Sequence, residues 1–173
     1  KGKEVMVVGA GPAGLECARA LGQRGYEVSL LDARKEVGGR VLRESALPGL
    51  NEWRRVMDWR LTQIGKMKNV SVYPSSPMTV EDILETGAEN IILATGATWR
   101  RDGVGRTLWK PIPGHDLENV FSPDDIMESG SLLMLLQKQA SAIQNIIIYD
   151  DDHYYMGGVL AELLATNGCT VSL

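Results

Sequence analysis

The sequence predicts an α/β fold: a parallel sheet with helices on both faces, incomplete at its C-terminal end and followed by the start of a second, similar β-α-β unit. Three observations predict it. Short apolar runs (EVMVV, YEVSLL, NVSVY, NIIL, NIII) alternate with longer stretches of helical periodicity, the pattern of crossover-connected parallel strands. The first run breaks into G-x-G-x-x-G at Gly9, Gly11 and Gly14 and opens directly into a helical stretch. Two distant segments, GYEVSL at 25–30 and GCTVSL at 168–173, repeat one another.

The elements follow in order. EVMVVGAG reads as a buried strand and a tight turn, and PAGLECARALGQRG as a helix with Leu15, Ala18 and Leu21 on one side, stopped by Gly25. YEVSLLDA is a second strand ending at Asp32, parallel to the first by the crossover rule. KEVGGRVLRESALPGL, punctuated by glycine and proline, reads as a loop. NEWRRVMDWRLTQIGKM carries Trp53, Met57, Leu61 and Ile64 at helical spacing, a stripe expected to be core packing. NVSVYP is a strand, and TVEDILETG a helix with a capping box of Thr79 and Asp82 and a stop at Gly87. NIILATG is a strand. Residues 97–114 are irregular, and SPDDIMESG opens a helix with Ser122 as N-cap, Pro123 first and Asp125 closing the box. SLLMLLQKQASAIQ is apolar and fits no single element. NIIIYD is a strand, YDDDHYYMGG a loop, VLAELLATNG a helix and CTVSL a strand. The expected division is 1–108 for the first domain and 109–173 for a linker and the start of the second.

Composition narrows the function. A formal net charge of −4 without a dense Lys/Arg cluster argues against nucleic acid. The longest apolar clusters are too short to span a bilayer. Two cysteines, Cys17 and Cys169, and two histidines offer no metal-ligand spacing and no C-x-x-C redox pair; a reducing, cytoplasmic compartment is expected. The abrupt ends, close to a first strand and inside a last one, read as a piece of a longer polypeptide.

The glycine motif carries the chemistry. In G-x-G-x-x-G, with Ala10, Pro12 and Ala13 filling the loop, Gly9 permits the tight turn, Gly11 lets backbone approach a pyrophosphate, and Gly14 lets helix and strand pack closely. The helix N-terminus offers free N–H groups and a positive dipole end to phosphates. Asp32, followed by Ala33 and Arg34, stands eighteen residues after Gly14, where a carboxylate accepts ribose hydroxyls and repels a 2′-phosphate. The expected ligand is ADP, FAD or NAD rather than NADP. No residue is a convincing nucleophile or general base, and His115, in IPGHDLENV, reads as a surface histidine.

VVGAGPAGLECARAL, LLDARKEVGGR and IILATGA together resemble the FAD-binding domain of the glutathione-reductase-like flavin oxidoreductases. With ESALPG, SPMT, ATGATWRRDG and YDDDHYYMGG the chain resembles more closely the C-terminal nucleotide-binding region of the trimethylamine, dimethylamine and histamine dehydrogenases, relatives of 2,4-dienoyl-CoA reductase; residues 129–144 depart from that pattern. The resemblance implies an FAD/NAD(P)-binding, Rossmann-like fold. It also implies a missing N-terminal TIM barrel with FMN and an iron–sulfur cluster, an electron-transferring flavoprotein as partner, and a homo-oligomer. By position it places Gly39 and Arg40 near the diphosphate and Met78 near the adenine, with Ala94, Thr95 and Gly96 closing the site. A working FAD-dependent NAD(P)H oxidoreductase is the alternative, and a pure interaction module leaves the glycines unexplained.

The second unit departs from the first. Counted from the repeated strand, Gly14 falls on Gly157, Gly11 on Tyr154 and Gly9 on Asp152. A like charge at ~4 Å from a phosphate costs ~1 kcal/mol in water and ~4 kcal/mol at an effective dielectric of 20, against ~0.3–1 kcal/mol from a helix dipole. Asp150, Asp151 and Asp152 are therefore expected to repel a phosphate, and Tyr154 to fill its space, leaving a vestigial nicotinamide site. The other readings are a solvated loop, a divalent-cation site or a docking surface.

Overall fold

The structure is a computed structural model that describes residues 3–128 and 145–173. The apolar stretch 131–144 lies outside the described residues. The chain forms two compact units, one of Lys1–Ala46 and Leu50–Ala97, the other of Leu47–Gly49 and Thr98–Leu173.

The first unit is a four-stranded, all-parallel sheet in the order β3-β2-β1-β4, built from β1 (Glu4–Val8), β2 (Glu27–Leu31), β3 (Val70–Tyr73) and β4 (Ile91–Leu93). Alternation decides its faces. Val5, Val7, Val28, Leu30 and Val70 point into one core, against Leu15 and Ala18 of α1 (Pro12–Gln23) and Met57 and Ile64 of α3 (Arg54–Ile64). Val7, Leu15, Ala18 and Leu30 are fully buried. Gly22 brings the end of α1 against the Val70 side chain, and the Asn69 side-chain amide donates to the Gly22 and Tyr26 carbonyls at 2.9 and 2.7 Å. Helix end and third strand are thereby fixed to one another.

Two expectations change in the first unit. The glycine-rich stretch read as loop contains a short helix, α2 (Arg40–Glu44), whose N-cap is Gly39. Its carboxylate Glu44 is only 4 % exposed and pairs with Arg40 one turn earlier at 3.9 Å. Arg, Leu and Glu are good helix formers, and burial of Glu44 anchors the turn. The helix expected from Asn51 begins as a 3-10 turn, Asn51–Trp53, before α3. The capping box of Thr79 and Asp82 is present at α4 (Val80–Glu85).

In the second unit the Ser122–Asp125 capping box opens α5 (Pro123–Met127), and Asp124 accepts from the Trp99 N–H at 2.7 Å. Strands β5 (Asn145–Ile147) and β6 (Thr170–Ser172) pair in parallel around α6 (Tyr155–Thr166), which buries Met156, Gly157, Leu160 and Leu164. The helix starts inside the stretch expected as loop. Gly157 and Gly158, read as turn residues, lie in its first turn.

Candidate nucleotide-binding site

The ends of β1, β2 and β4 meet at the glycine loop. Gly9 donates to the Leu31 carbonyl at 2.7 Å, and Ala94 donates to the Val8 carbonyl at 2.7 Å. Gly9 has φ +104, a conformation that favours glycine, and any Cβ there would run into the Ala94 carbonyl. Ala10 is completely buried with both backbone groups engaged: its N–H donates to Asp32 Oδ2 at 2.7 Å and its carbonyl accepts from Gly38 N–H at 2.8 Å. Ala10 thereby ties the loop to the end of β2 and to the glycine doublet.

Gly11 is the N-cap of α1, with no capping side chain, Pro12 as the first helical residue and no acid in the first turn. Ala13 is exposed beside it. The positive end of a twelve-residue helix is left without a side-chain anion of its own. Across from it stands Gly39, at φ +60, whose Cβ would lie 2.8 Å from Gly11 Cα. Two glycine backbones therefore face each other. Gly14 packs below, where a Cβ would collide with the Gly9 carbonyl and touch the Ala94 side chain at 3.4 Å.

The other residues singled out in the sequence arrive as follows. Asp32 bridges two amides, Ala10 N–H through Oδ2 and Arg34 N–H through Oδ1 at 2.8 Å. Ala33 and Arg34 are exposed. Ser76 donates to the Asp32 carbonyl and Ser75 to the Arg34 carbonyl, at 2.8 and 2.9 Å, so the segment after β3 runs beside the acid. Met78 follows in that segment, half-buried. The Thr95 Cα borders Gly9, and Gly96 lies in open space at φ +79. The Arg40 guanidinium donates to the Ala97 carbonyl and pairs with Glu44, tying the glycine doublet to the segment after β4. Sequence reasoning missed Gly38, whose N–H holds Ala10 and whose missing side chain makes room for Met57 Sδ. The adjoining glycines of VGGR were the signal.

The second unit shows its own loop. The N-caps correspond as expected, Gly11 to Tyr154, and Tyr155 to Pro12. The strand register does not. Glu27 pairs with Glu4, but its counterpart Thr170 pairs with Asn145. From Glu4 to Pro12 is eight positions and from Asn145 to Tyr155 is ten, so the second loop is two residues longer. Counted along the strand, Asp150 rather than Asp152 takes the place of Gly9. Tyr154 is 74 % exposed, edge-to-face with Tyr155, and does not fill the loop. Among the described residues no group of three His, Cys, Asp or Glu side chains is placed to hold a metal ion, and no helix is long and apolar enough to cross a membrane. His115 sits half-buried in a hollow with Arg100, Arg101, Asp102 and Asp116. Cys17 and Cys169 are free thiols, and burial pushes the Cys17 thiol up.

Residues 3–148 match the family model described as pyridine nucleotide-disulphide oxidoreductase. The chain belongs to this family. Within it, 98% of the chain is 41% identical to a stretch of dimethylamine dehydrogenase from Hyphomicrobium sp. (strain x). The structure of histamine dehydrogenase from Rhizobium sp. 4-9 superposes with a TM-score of 0.87 at 47% identity over 99% of the chain. That of 6-hydroxypseudooxynicotine amine oxidase from Pseudomonas geniculata N1 superposes at 0.87 and 45% identity over 98%. The chain spans 23% of the first relative, 25% of the second and 24% of the third. Its homologues in this family are oxidoreductases, amine dehydrogenases among them, and its α/β fold is theirs.

Proposed function

We propose that the first unit binds the adenosine diphosphate group of ADP or FAD. The observation that carries this is the apposition of Gly11 and Gly39 at the uncapped N-terminus of α1, beside Asp32 at the end of β2. Backbone N–H groups and the helix dipole suit a pyrophosphate lying between the two glycines. The Asp32 carboxylate, held by two amides, keeps lone pairs for ribose hydroxyls and disfavours a 2′-phosphate. Gly9, Ala10, Pro12, Ala13 and Gly14 would form the loop, Ala33, Arg34 and Met78 the adenosine side, and Arg40, Ala94, Thr95 and Gly96 the closing wall. Bound ADP supplies no chemistry of its own; FAD, if bound, supplies a redox isoalloxazine.

The homology supports a reading of the chain as the nucleotide-binding portion of a flavin- and iron–sulfur-dependent amine dehydrogenase. In that reading this portion is non-catalytic, since none of its site residues is a convincing nucleophile or general base. The barrel with FMN and the cluster lies elsewhere in the protein, and electrons pass to an electron-transferring flavoprotein. The whole enzyme is a cytoplasmic homo-oligomer. We keep the division of 1–108 for the nucleotide domain and 109–173 for the beginning of a nicotinamide-type domain whose dinucleotide site is vestigial, with residues 98–108, the link between them, packed in the second unit. The alternative, a working FAD-dependent NAD(P)H oxidoreductase, draws on the family description itself.

Denaturing the purified protein and identifying the released nucleotide by mass tests both readings. Colourless protein releasing ADP supports the first; yellow protein releasing FAD and oxidising NAD(P)H establishes the second. Protein that carries no nucleotide and is not stabilised by added ADP refutes the assignment of the site.

A further inference from the structure

The two β-α loops are held by carboxylates from different places, the first at Ala10 N–H by Asp32 after β2. In the first, the helix end is left without a carboxylate. In the second, Asp150 Oδ1 accepts the N–H groups of Asp152 and His153, each at 3.0 Å. Its other oxygen reaches over the first turn of α6, 2.6 Å from where a Cβ on Gly157 would stand. Gly157 therefore makes room for a side-chain carboxylate, whereas its counterpart Gly14 makes room for the Gly9 carbonyl. The next residue does the same on another segment. Asp151 Oδ2 accepts from Thr107 N–H at 2.7 Å, and a Cβ on Gly105 would collide with it. The Thr107 N–H holds the Asp151 carboxyl below its ordinary range. Three backbone N–H groups, of Thr107, Asp152 and His153, are thus held by these two carboxylates.

We infer that the second dinucleotide frame is filled from within: Asp150 and Asp151 occupy the backbone donors of the β5–α6 loop and of the 105–108 turn, closing both to a nucleotide phosphate. This rests on reading the second unit as a nicotinamide-type frame, and it replaces repulsion by the aspartates with self-occupation as the reason for closure. The two additional loop residues make it possible, because Asp152 and His153 are the donors that Asp150 holds.

The test is amide hydrogen exchange and thermal shift on the whole protein, in wild type, the D150N/D151N variant and the D150G/D151G variant. The response to ADP reports an intact first unit, and the probes, NADH, NADPH and inorganic pyrophosphate, are then added to protein saturated with ADP so that the first site is occupied. In ADP-saturated wild type the amides of 107, 152 and 153 are expected to exchange slowly and no probe to bind. In D150G/D151G their exchange is expected to rise roughly tenfold, the scale of losing a hydrogen bond to a charged group, and pyrophosphate to give a shift that wild type lacks. The asparagine variant, which keeps the acceptor oxygens, is expected to stay protected and closed. Unprotected amides in wild type overturn the inference. So does a folded, ADP-responsive D150G/D151G protein that ignores pyrophosphate. NAD(P)H binding to wild type overturns instead the vestigial-site reading beneath it.

Discussion

Asp32 holds two loop amides and, in the proposed function, a ribose as well, so one atom change tests both roles. In Asp32→Asn the amide nitrogen must face either Ala10 N–H or Arg34 N–H, a donor against a donor. Urea unfolding is expected to show a loss of about 1–3 kcal/mol, and calorimetry a weaker ADP affinity by tenfold or more. Gly39→Ala forces a side chain into φ +60, ψ −139 and to 2.8 Å from Gly11 Cα. A cost of about 1–3 kcal/mol is expected from the backbone strain, with ADP binding lost before the fold is. A third residue reports on pH. The Arg100 guanidinium beside Asp102 holds its carboxyl down to about 2, below the ordinary 3.8. A depressed folded-state value stabilises the protein above the ordinary value, and that contribution is lost as pH falls through the depressed one. The stability gap between wild type and D102N should therefore be constant at neutral pH and narrow steadily below pH 3.8.

At the scale of the element, local chemistry was legible and long-range geometry was not. Both capping boxes stood in the sequence because Ser122 with Asp125, and Thr79 with Asp82, need only three residues of spacing. Ser122→Ala is expected to lower stability by about 1 kcal/mol, seen as a lower melting temperature and a frayed α5. Helix α2 escaped because its glycine doublet looks like punctuation, although RVLRE is made largely of helix formers; the burial of Glu44 and the Arg40 contacts anchor it. The start of α6 was placed late for the same reason, although Gly157 occupies the position of Gly14. The two residues added before α6 were invisible, because an ungapped comparison fixes the helix and the following strand, while only the pairing of Asn145 with Thr170 fixes the first strand. In the site itself, Gly9, Gly11, Gly14 and Asp32 were legible because one motif fixes their spacing. Gly38 was not, since its contact with Met57, itself read as core, joins a turn to a helix distant in the chain.

For the whole molecule, the proposed function makes the nucleotide a structural component of the first unit. A ligand that binds only the folded state stabilises it by mass action, by ~2.7 kcal/mol at a hundredfold excess over its dissociation constant. Removing it should lower the melting temperature reversibly, with ADP restoring it and NADP, repelled by Asp32, restoring it poorly. The most direct test is the identity of the nucleotide that purified protein releases on denaturation. ADP or FAD, in near-stoichiometric amount and lost in Gly39→Ala, is the predicted result. Protein that releases no nucleotide and whose melting temperature does not respond to ADP would show Gly9, Gly11 and Gly39 to be scaffold alone, and would contradict the central claim.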